Sequence, residues 1–373
     1  MAPQLNRTDE FDRQMMRRCL ELAKQAQGKT APNPLVGAVV VRAGEIVGEG
    51  FHPQAGQPHA EVFALRAAGD RAQGSTIYVN LEPCSHHGRT PPCADALIAA
   101  GIARVVVGMV DPNPQVAGTG ITRLRQAGIE VKVDVEVAAC QELNEAFVYR
   151  ILHQRPLGIL KYAMTLDGKI ASTTGHSAWI TAPEARTWVH QVRAGCDAVV
   201  IGGNTVRRDN PLLTAHGQGD HNPLRVVMSR TLDLPADAQL WQTSIAPTLL
   251  FTESGVNPEF QKVLLDKGVE VVELPLLTPA EVMAELTKRE FLSVLWECGG
   301  TLAARAIADG SIQKILAFIA PKIIGGATAP SPVGDLGFTQ MTDALVLEKV
   351  KWQAIGRDLL VQGYLPLPES SRL

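Results

Sequence analysis

His59-Ala60-Glu61, followed by Pro83-Cys84 and then Cys93, are the residues whose reading decides the fold of the first half of this chain. One imidazole and two thiolates suit Zn²⁺, which takes nitrogen and sulfur ligands in a tetrahedron. Three protein ligands leave a fourth position for water, which distinguishes a catalytic zinc from a structural one. Glu61 comes near the metal if a helix opens at His59. It is a poor fourth ligand in this set but a good proton carrier for a water held there. Two alternatives stay open: a structural zinc, or thiols that only pack.

The set matches the zinc nucleobase-deaminase signature with one departure. That signature has two residues between its cysteines, and here Ser85 to Pro92 intervene.

Outward from this stretch, 373 residues are too many for one ordinary core and imply two domains. Hydrophobic residues at 46% and charged residues at 20% are globular values. A net charge of −3 argues against a protein that grips a nucleic-acid backbone. Six cysteines do not make a disulfide framework in a chain of this length, so a reducing, cytoplasmic compartment is expected. Met1 to Thr8 has no apolar core of a signal peptide, and no apolar run is long enough to span a membrane.

Phe11, Met15, Cys19, Leu22 and Ala26 recur at helical spacing, from a cap at Thr8 to a stop at Gly28. Val36 to Val41 and Ile46 to Phe51 read as a hairpin, preceded by Pro32-Asn33-Pro34. Asn33 either reads a polar ring edge or satisfies its own turn. Ala60 to Ala68 is a helix, Thr76 to Leu81 a strand, and Cys93 opens a helix, where a thiolate is favoured. Strand, helix, strand continues to Val133, and Val137 to Leu152 is one helix, broken by Arg155-Pro156. The boundary is expected near residue 153, giving domains 1–153 and 154–373.

A second αβ rhythm follows, with strands at Leu157 to Ala163, Asp197 to Ile201, Leu224 to Ser229, Pro247 to Phe251 and Val269 to Glu273. Gly202-Gly203-Asn204-Thr205 reads as a turn. Phe291 to Glu297 is a strand that runs into Cys298-Gly299-Gly300-Thr301 and a helix. That junction is either an anion site, since free N–H groups and the helix dipole converge there, or close packing. It lacks the G-x-G-x-x-G spacing of a dinucleotide fingerprint.

The whole pattern resembles the bifunctional riboflavin-biosynthesis deaminase/reductases. The first half carries Pro32-Asn33-Pro34, the His59-Ala60-Glu61 site, the run Leu81 to Cys93, which accounts for the wide cysteine spacing, and Asp111-Pro112-Asn113-Pro114. The second half carries Lys161, Thr165-Leu166-Asp167-Gly168, Ser177 with Trp179-Ile180-Thr181, Asp209-Asn210-Pro211 and Glu297 with Gly299. The resemblance implies an α/β protein with a cytidine-deaminase-like α/β/α domain followed by a dihydrofolate-reductase-like α/β domain. It implies two consecutive reactions on 2,5-diamino-6-ribosylamino-4(3H)-pyrimidinone 5′-phosphate, a zinc-dependent deamination and an NADPH reduction of the ribosyl group.

By the same resemblance, zinc sits on His59, Cys84 and Cys93, Glu61 is the catalytic proton carrier, and Asn33 holds the ring. Ala163, Trp179, Thr205, Asp209, Ser229, Gly299, Gly300 and Thr301 come near NADPH. Lys161, Ser177, Arg193, Leu213, His216 and Glu297 come near the substrate. Lys161 is either a group that polarises the reacting centre or an ordinary strand-end lysine, and Trp179 either stacks or packs. At His216 the family often has arginine. If both His216 and Arg193 face the phosphate, the help of His216 is expected to fade between about pH 6 and 8. The expected partners are the small substrate and further copies of the chain, as dimer or tetramer, with no nucleic acid and no membrane. A deaminase with a non-catalytic second half, and a reductase with a structural zinc, remain as alternatives.

Overall fold

The computed structural model describes residues 7–85 and 91–366. His86 to Thr90, inside the Leu81–Cys93 run, and the first six residues lie outside the described residues. The chain divides into two units, Met1–Gln154 and Arg155–Leu373. Among the described residues no helix is long and apolar enough to cross a membrane.

In the first unit the amphipathic α1 (Arg7–Lys24) packs on the hairpin β1 (Gly37–Arg42) and β2 (Glu45–Phe51). After it come α2 (Ala60–Ala68), β3 (Thr76–Val79), α3 (Cys93–Ala99), β4 (Arg104–Val107), α4 (Thr119–Gln126), β5 (Glu130–Lys132), α5 (Val137–Leu143) and α6 (Glu145–His153). The sheet runs β2-β1-β3-β4-β5, antiparallel through its first three strands and parallel beyond. Short β-branched runs such as Val39-Val40-Val41 and Val105-Val106-Val107 fill its core. Helix α2 lies unusually close to β2. A β-carbon at Gly48 would stand 2.3 Å from the Ala64 carbonyl oxygen, and one at Gly50 2.5 Å from Phe63 Cβ. Those glycines let α2 seat against the sheet along its length.

The single helix expected from Val137 to Leu152 is two, parted at Asn144. The Asn144 side chain, 3% exposed, accepts from the Leu35 N–H and donates to the Leu35 carbonyl. A polar side chain buried to hold a loop fixes the chain there, and the helix restarts after it.

The second unit holds β6 (Leu157–Thr165), α7 (Pro183–Gly195), β7 (Ala198–Gly202), α8 (Gly203–Asp209), β8 (Leu224–Met228), β9 (Thr248–Glu253), α9 (Pro258–Asp266) and β10 (Glu270–Leu274). It continues with α10 (Pro279–Lys288), β11 (Ser293–Trp296), α11 (Gly300–Ala308), β12 (Lys314–Ala320), β13 (Glu348–Ile355) and β14 (Asp358–Tyr364). Its sheet runs β10-β9-β8-β7-β11-β6-β12-β14-β13. All neighbours are parallel except β12–β14 and β14–β13. The central strands are continuous apolar runs buried among residues such as Val200, Val226, Phe251 and Trp296, as a sheet covered on both faces requires. The turn expected at Gly202-Gly203-Asn204-Thr205 is instead the opening of α8. Gly203 packs against Ser229 and Leu234, which leaves the chain free to turn helical at once after β7.

Candidate active sites

The start of α2 and the start of α3 meet in the first unit. His59 is the residue before α2, with extended backbone, so its ring leaves the helix end rather than lying along it. Cys93 is the first residue of α3, and Cys84 lies in the segment after β3, tied back by the Ala94 N–H to its carbonyl. His59 Nδ1 stands 3.2 Å from Cys93 Sγ and 3.6 Å from Cys84 Sγ, and the Cys93 N–H donates to Cys84 Sγ at 3.2 Å. All three ligand atoms lie within 4.8 Å of one another. Contact with the Cys93 thiol, helped by His59 and the Cys93 N–H, brings the Cys84 thiol down to about 4, while the same contact pushes Cys93 up.

Glu61 is 3% exposed, and its Oε2 has no hydrogen-bond partner. Burial pushes its carboxyl above the usual carboxylate range. One ring nitrogen, two sulfurs and a buried carboxylate oxygen without a partner fit Zn²⁺ with a proton carrier beside it.

A residue that sequence reading passed over stands behind this site. His52 is 2% exposed, and its ring meets that of His59 edge to face at 5.5 Å. His52 Nδ1 lies 3.0 Å from the Pro58 carbonyl, which can only accept, so Nδ1 carries the hydrogen and Nε2 accepts from Asn33 Nδ2 at 3.0 Å. The Asn33 amide is thereby oriented, with Oδ1 left as an acceptor. Its loop is pinned from beneath by Asn80 and Asn144, both bonded to Leu35. A lone histidine ahead of Pro53 gives no signal of this in sequence.

Glu82 was also missed. Its buried carboxylate accepts from the N–H groups of Asp111, Gly118, Gly120 and Ile121, so it holds the Asp111-Pro112-Asn113 segment and the start of α4 against the turn that carries Cys84. At Gly120 a β-carbon would come 2.0 Å from the Pro83 carbonyl oxygen.

In the second unit one cavity of about 1070 Å³ is lined by Ser177, Thr205, Asp209, Glu297, Gly299, Gly300 and Thr301, among others. The two glycines do different work. Gly299 stands in open space before α11, whereas a β-carbon at Gly300 would lie 2.6 Å from the Ser331 carbonyl oxygen. Ser177 Oγ donates to Asp209 at 3.4 Å.

The Glu297 carboxylate receives Lys161 Nζ at 3.1 Å and the Arg193 fork through Nε and Nη2. Burial opposes ionisation there, but Arg193 and Lys161 outweigh it and hold the carboxyl far below the usual range. Arg193 Nη1 donates to the Thr214 carbonyl. The guanidinium expected to face a phosphate is therefore first committed to Glu297 and to its own unit's backbone.

Five more expected residues stand apart from the cavity lining. Ala163 pairs with Phe318 within the sheet. Ser229 is buried behind Gly203. Leu213 has a buried side chain, so only its backbone can meet a ligand. Trp179 is 70% exposed under the Arg186 guanidinium, which lies 4.5 Å from the ring centre. His216 stacks on His190 at 4.2 Å. Burial, and then Arg193, lowers His216 below its ordinary value, while the same causes bring His190 to about 4. The pH window expected for His216 therefore moves to the acid side.

The comparisons with known proteins cover both units. Residues 156–361 match the RibD C-terminal domain family, and residues 9–109 match the cytidine and deoxycytidylate deaminase zinc-binding region. The chain is 66% identical over 354 residues to the riboflavin biosynthesis protein RibD of Synechocystis, covering 95% of this chain and 96% of that one. It is 41% identical to the Escherichia coli protein of that name, covering 84% and 89%. Among solved structures, an Acinetobacter baumannii RibD superposes with a TM-score of 0.85 at 36% identity, over 96% of this chain and all of that one. A Thermotoga maritima diaminohydroxyphosphoribosylaminopyrimidine deaminase/5-amino-6-(5-phosphoribosylamino)uracil reductase gives 0.85 at 35%, over the same shares.

Proposed function

The chain belongs to the bifunctional riboflavin-biosynthesis deaminase/reductases, and from that premise we propose which of its residues carry each step. It is an enzyme of riboflavin biosynthesis with a zinc-dependent deaminase and an NADPH-dependent reductase. The substrate proposed is 2,5-diamino-6-ribosylamino-4(3H)-pyrimidinone 5′-phosphate. Residues 1–153 act as the deaminase domain and residues 154–373 as the reductase domain.

The observation that carries the deaminase assignment is the convergence of His59, Cys84 and Cys93 beside a buried, unpartnered Glu61 oxygen. These three residues hold the zinc, which when bound supplies a water acidic enough to attack at neutral pH. Asn33, its amide oriented by His52, accepts from the pyrimidine edge. Glu61 takes one proton from the attacking water and gives it to the ring nitrogen, then carries the proton of the added hydroxyl to the amine, so that ammonia leaves and a carbonyl forms.

In the reductase, bound NADPH would supply the hydride that the ribosyl carbon needs. Gly299, Gly300, Thr301, Thr205, Asp209 and Ser177 border the cavity that takes the cofactor and the sugar. Ser229 stands behind Gly203 in its wall, and Ala163 and Trp179 are assigned to the cofactor from the family pattern. Glu297 holds the Lys161 ammonium at the reacting centre, where it polarises the opened sugar. Arg193, the Leu213 backbone and His216 bound the phosphate side.

A reducing, cytoplasmic setting is supported by six cysteines in 373 residues, too few for a disulfide framework. Assembly into a dimer or tetramer is supported by the end strand β13, whose Trp352 is 66% exposed.

Both half-reactions, assayed on one metal-analysed sample, test the assignment. Ammonia release must need zinc and no nucleotide, and NADPH oxidation must need the deaminated product. Reductase turnover without any zinc-dependent ammonia release would overturn the deaminase half.

A further inference from the structure

The reductase cavity extends well beyond the groups that the reaction uses. Part of its wall comes from the end of β8, the end of β9, the start of α10 and one face of α11. Apolar Leu277, Pro279 and Ala308 line this part together with Arg230 and Arg305.

Two acids border the same wall, yet both are turned to the backbone. Glu253 accepts from the Leu277 N–H, and Asp309 accepts from the N–H groups of Ala280 and Ser311. Among the described residues neither Arg230 nor Arg305 has a carboxylate partner. Two guanidinium groups from separate elements thus face one cavity beside an apolar slot, with no acid to neutralise them. That combination suits a purine that carries a phosphate monoester, because planar forks bind phosphate oxygens in pairs.

The start of α11 at Gly299-Gly300-Thr301 already suits a pyrophosphate. Arg305 lies about 7 Å farther along the same helix, a distance that a ribose can bridge. We propose that Arg230 and Arg305 read the 2′-phosphate of NADPH, and that they, rather than the glycine turn, set the preference for NADPH over NADH. The inference rests on the reductase assignment above.

The test is calorimetric titration of the full-length protein with adenosine 2′,5′-bisphosphate and with adenosine 5′-monophosphate, which needs no turnover. The wild type should bind the bisphosphate at least about 10-fold tighter. Arg230→Ala and Arg305→Ala should each remove most of that preference, leave the monophosphate within about twofold, and flatten the salt dependence of bisphosphate binding. Arg230→Lys and Arg305→Lys should keep part of it, since a point charge remains. Alanine variants that keep the full preference, or that weaken both nucleotides equally while their lysine counterparts do not recover it, would overturn the proposal. A wild type that oxidises NADPH but shows no preference between the two probes would overturn it while leaving the reductase intact. A wild type that binds neither NADPH nor either probe would sink the reductase assignment together with it.

Discussion

Glu61 is a carboxylate that the fold has buried and left with an unpartnered oxygen, which is costly unless the oxygen has work to do. Glu61→Gln should keep a full equivalent of zinc and release ammonia at least about 100-fold more slowly, as metal analysis beside an ammonia assay would check. Loss of the zinc instead would make Glu61 a ligand. At the other site, His216 has its pKa pushed below the ordinary 6.5, so near neutral pH it is uncharged. His216→Arg should therefore lower the reductase KM for the phosphorylated substrate at pH 7 to 8. The gap to wild type should narrow only on the acid side of the ordinary histidine value, where His216 gains its proton. Superimposable KM–pH curves would remove His216 from the phosphate. The metal site was legible in sequence because ligand chemistry restricts which residue types can serve. His52 was not, because its role depends on which carbonyl and which amide folding brings to its two nitrogens.

At the scale of elements, Glu82 decides how the Cys84 turn sits. Four backbone N–H groups share its carboxylate. Glu82→Ala leaves them unmet in a buried place, so the first unit should lose about 3 kcal/mol or more, read as a lowered denaturation midpoint. Zinc should bind more weakly in the same variant, because Pro83-Cys84 follows directly. Unchanged stability would mean that water serves those donors equally well. Strands and the helices at His59 and Cys93 followed their periodicity. Two helices of the second unit were missed although their start signals stand in the sequence. Asn257 before Pro258 caps α9 through Phe260 N, and Thr278 before Pro279 caps α10 through Glu281 N. Where reading by period failed, as at Gly202-Gly203 and Asn144, a contact far along the chain set the backbone.

For the molecule as a whole, the first unit is fastened by a buried ion cluster. Asp12 accepts from Arg104, Lys132 and Tyr78. Burial works against its charge, but these partners prevail and bring it from 3.8 down to about 2. A carboxyl whose pKa is lower in the folded state stabilises it above the unfolded pKa and stops doing so as the pH falls through the folded one. Roughly 2 kcal/mol should therefore be lost between about pH 4 and pH 2, and Asp12→Asn should abolish that part of the acid transition. A variant with the wild-type acid profile would contradict this. Each unit is continuous in sequence, with its own core. Fragments 1–154 and 155–373 should each fold, the second oxidising NADPH with the deaminated intermediate. An insoluble second fragment would argue for dependence on the first.

The sheet order of the second unit has a consequence for how it is made. β6, the first strand of this unit to be synthesised, pairs with β11 at residues 293–296 and with β12 at residues 314–320. The centre of the sheet thus waits for more than a hundred residues of later chain before it has either neighbour. Such long-range closure is slow, so this unit should complete its sheet only after synthesis is nearly finished, on a timescale of milliseconds to seconds. The first unit, whose β1 pairs at once with the adjacent β2, can form while the rest is still being translated.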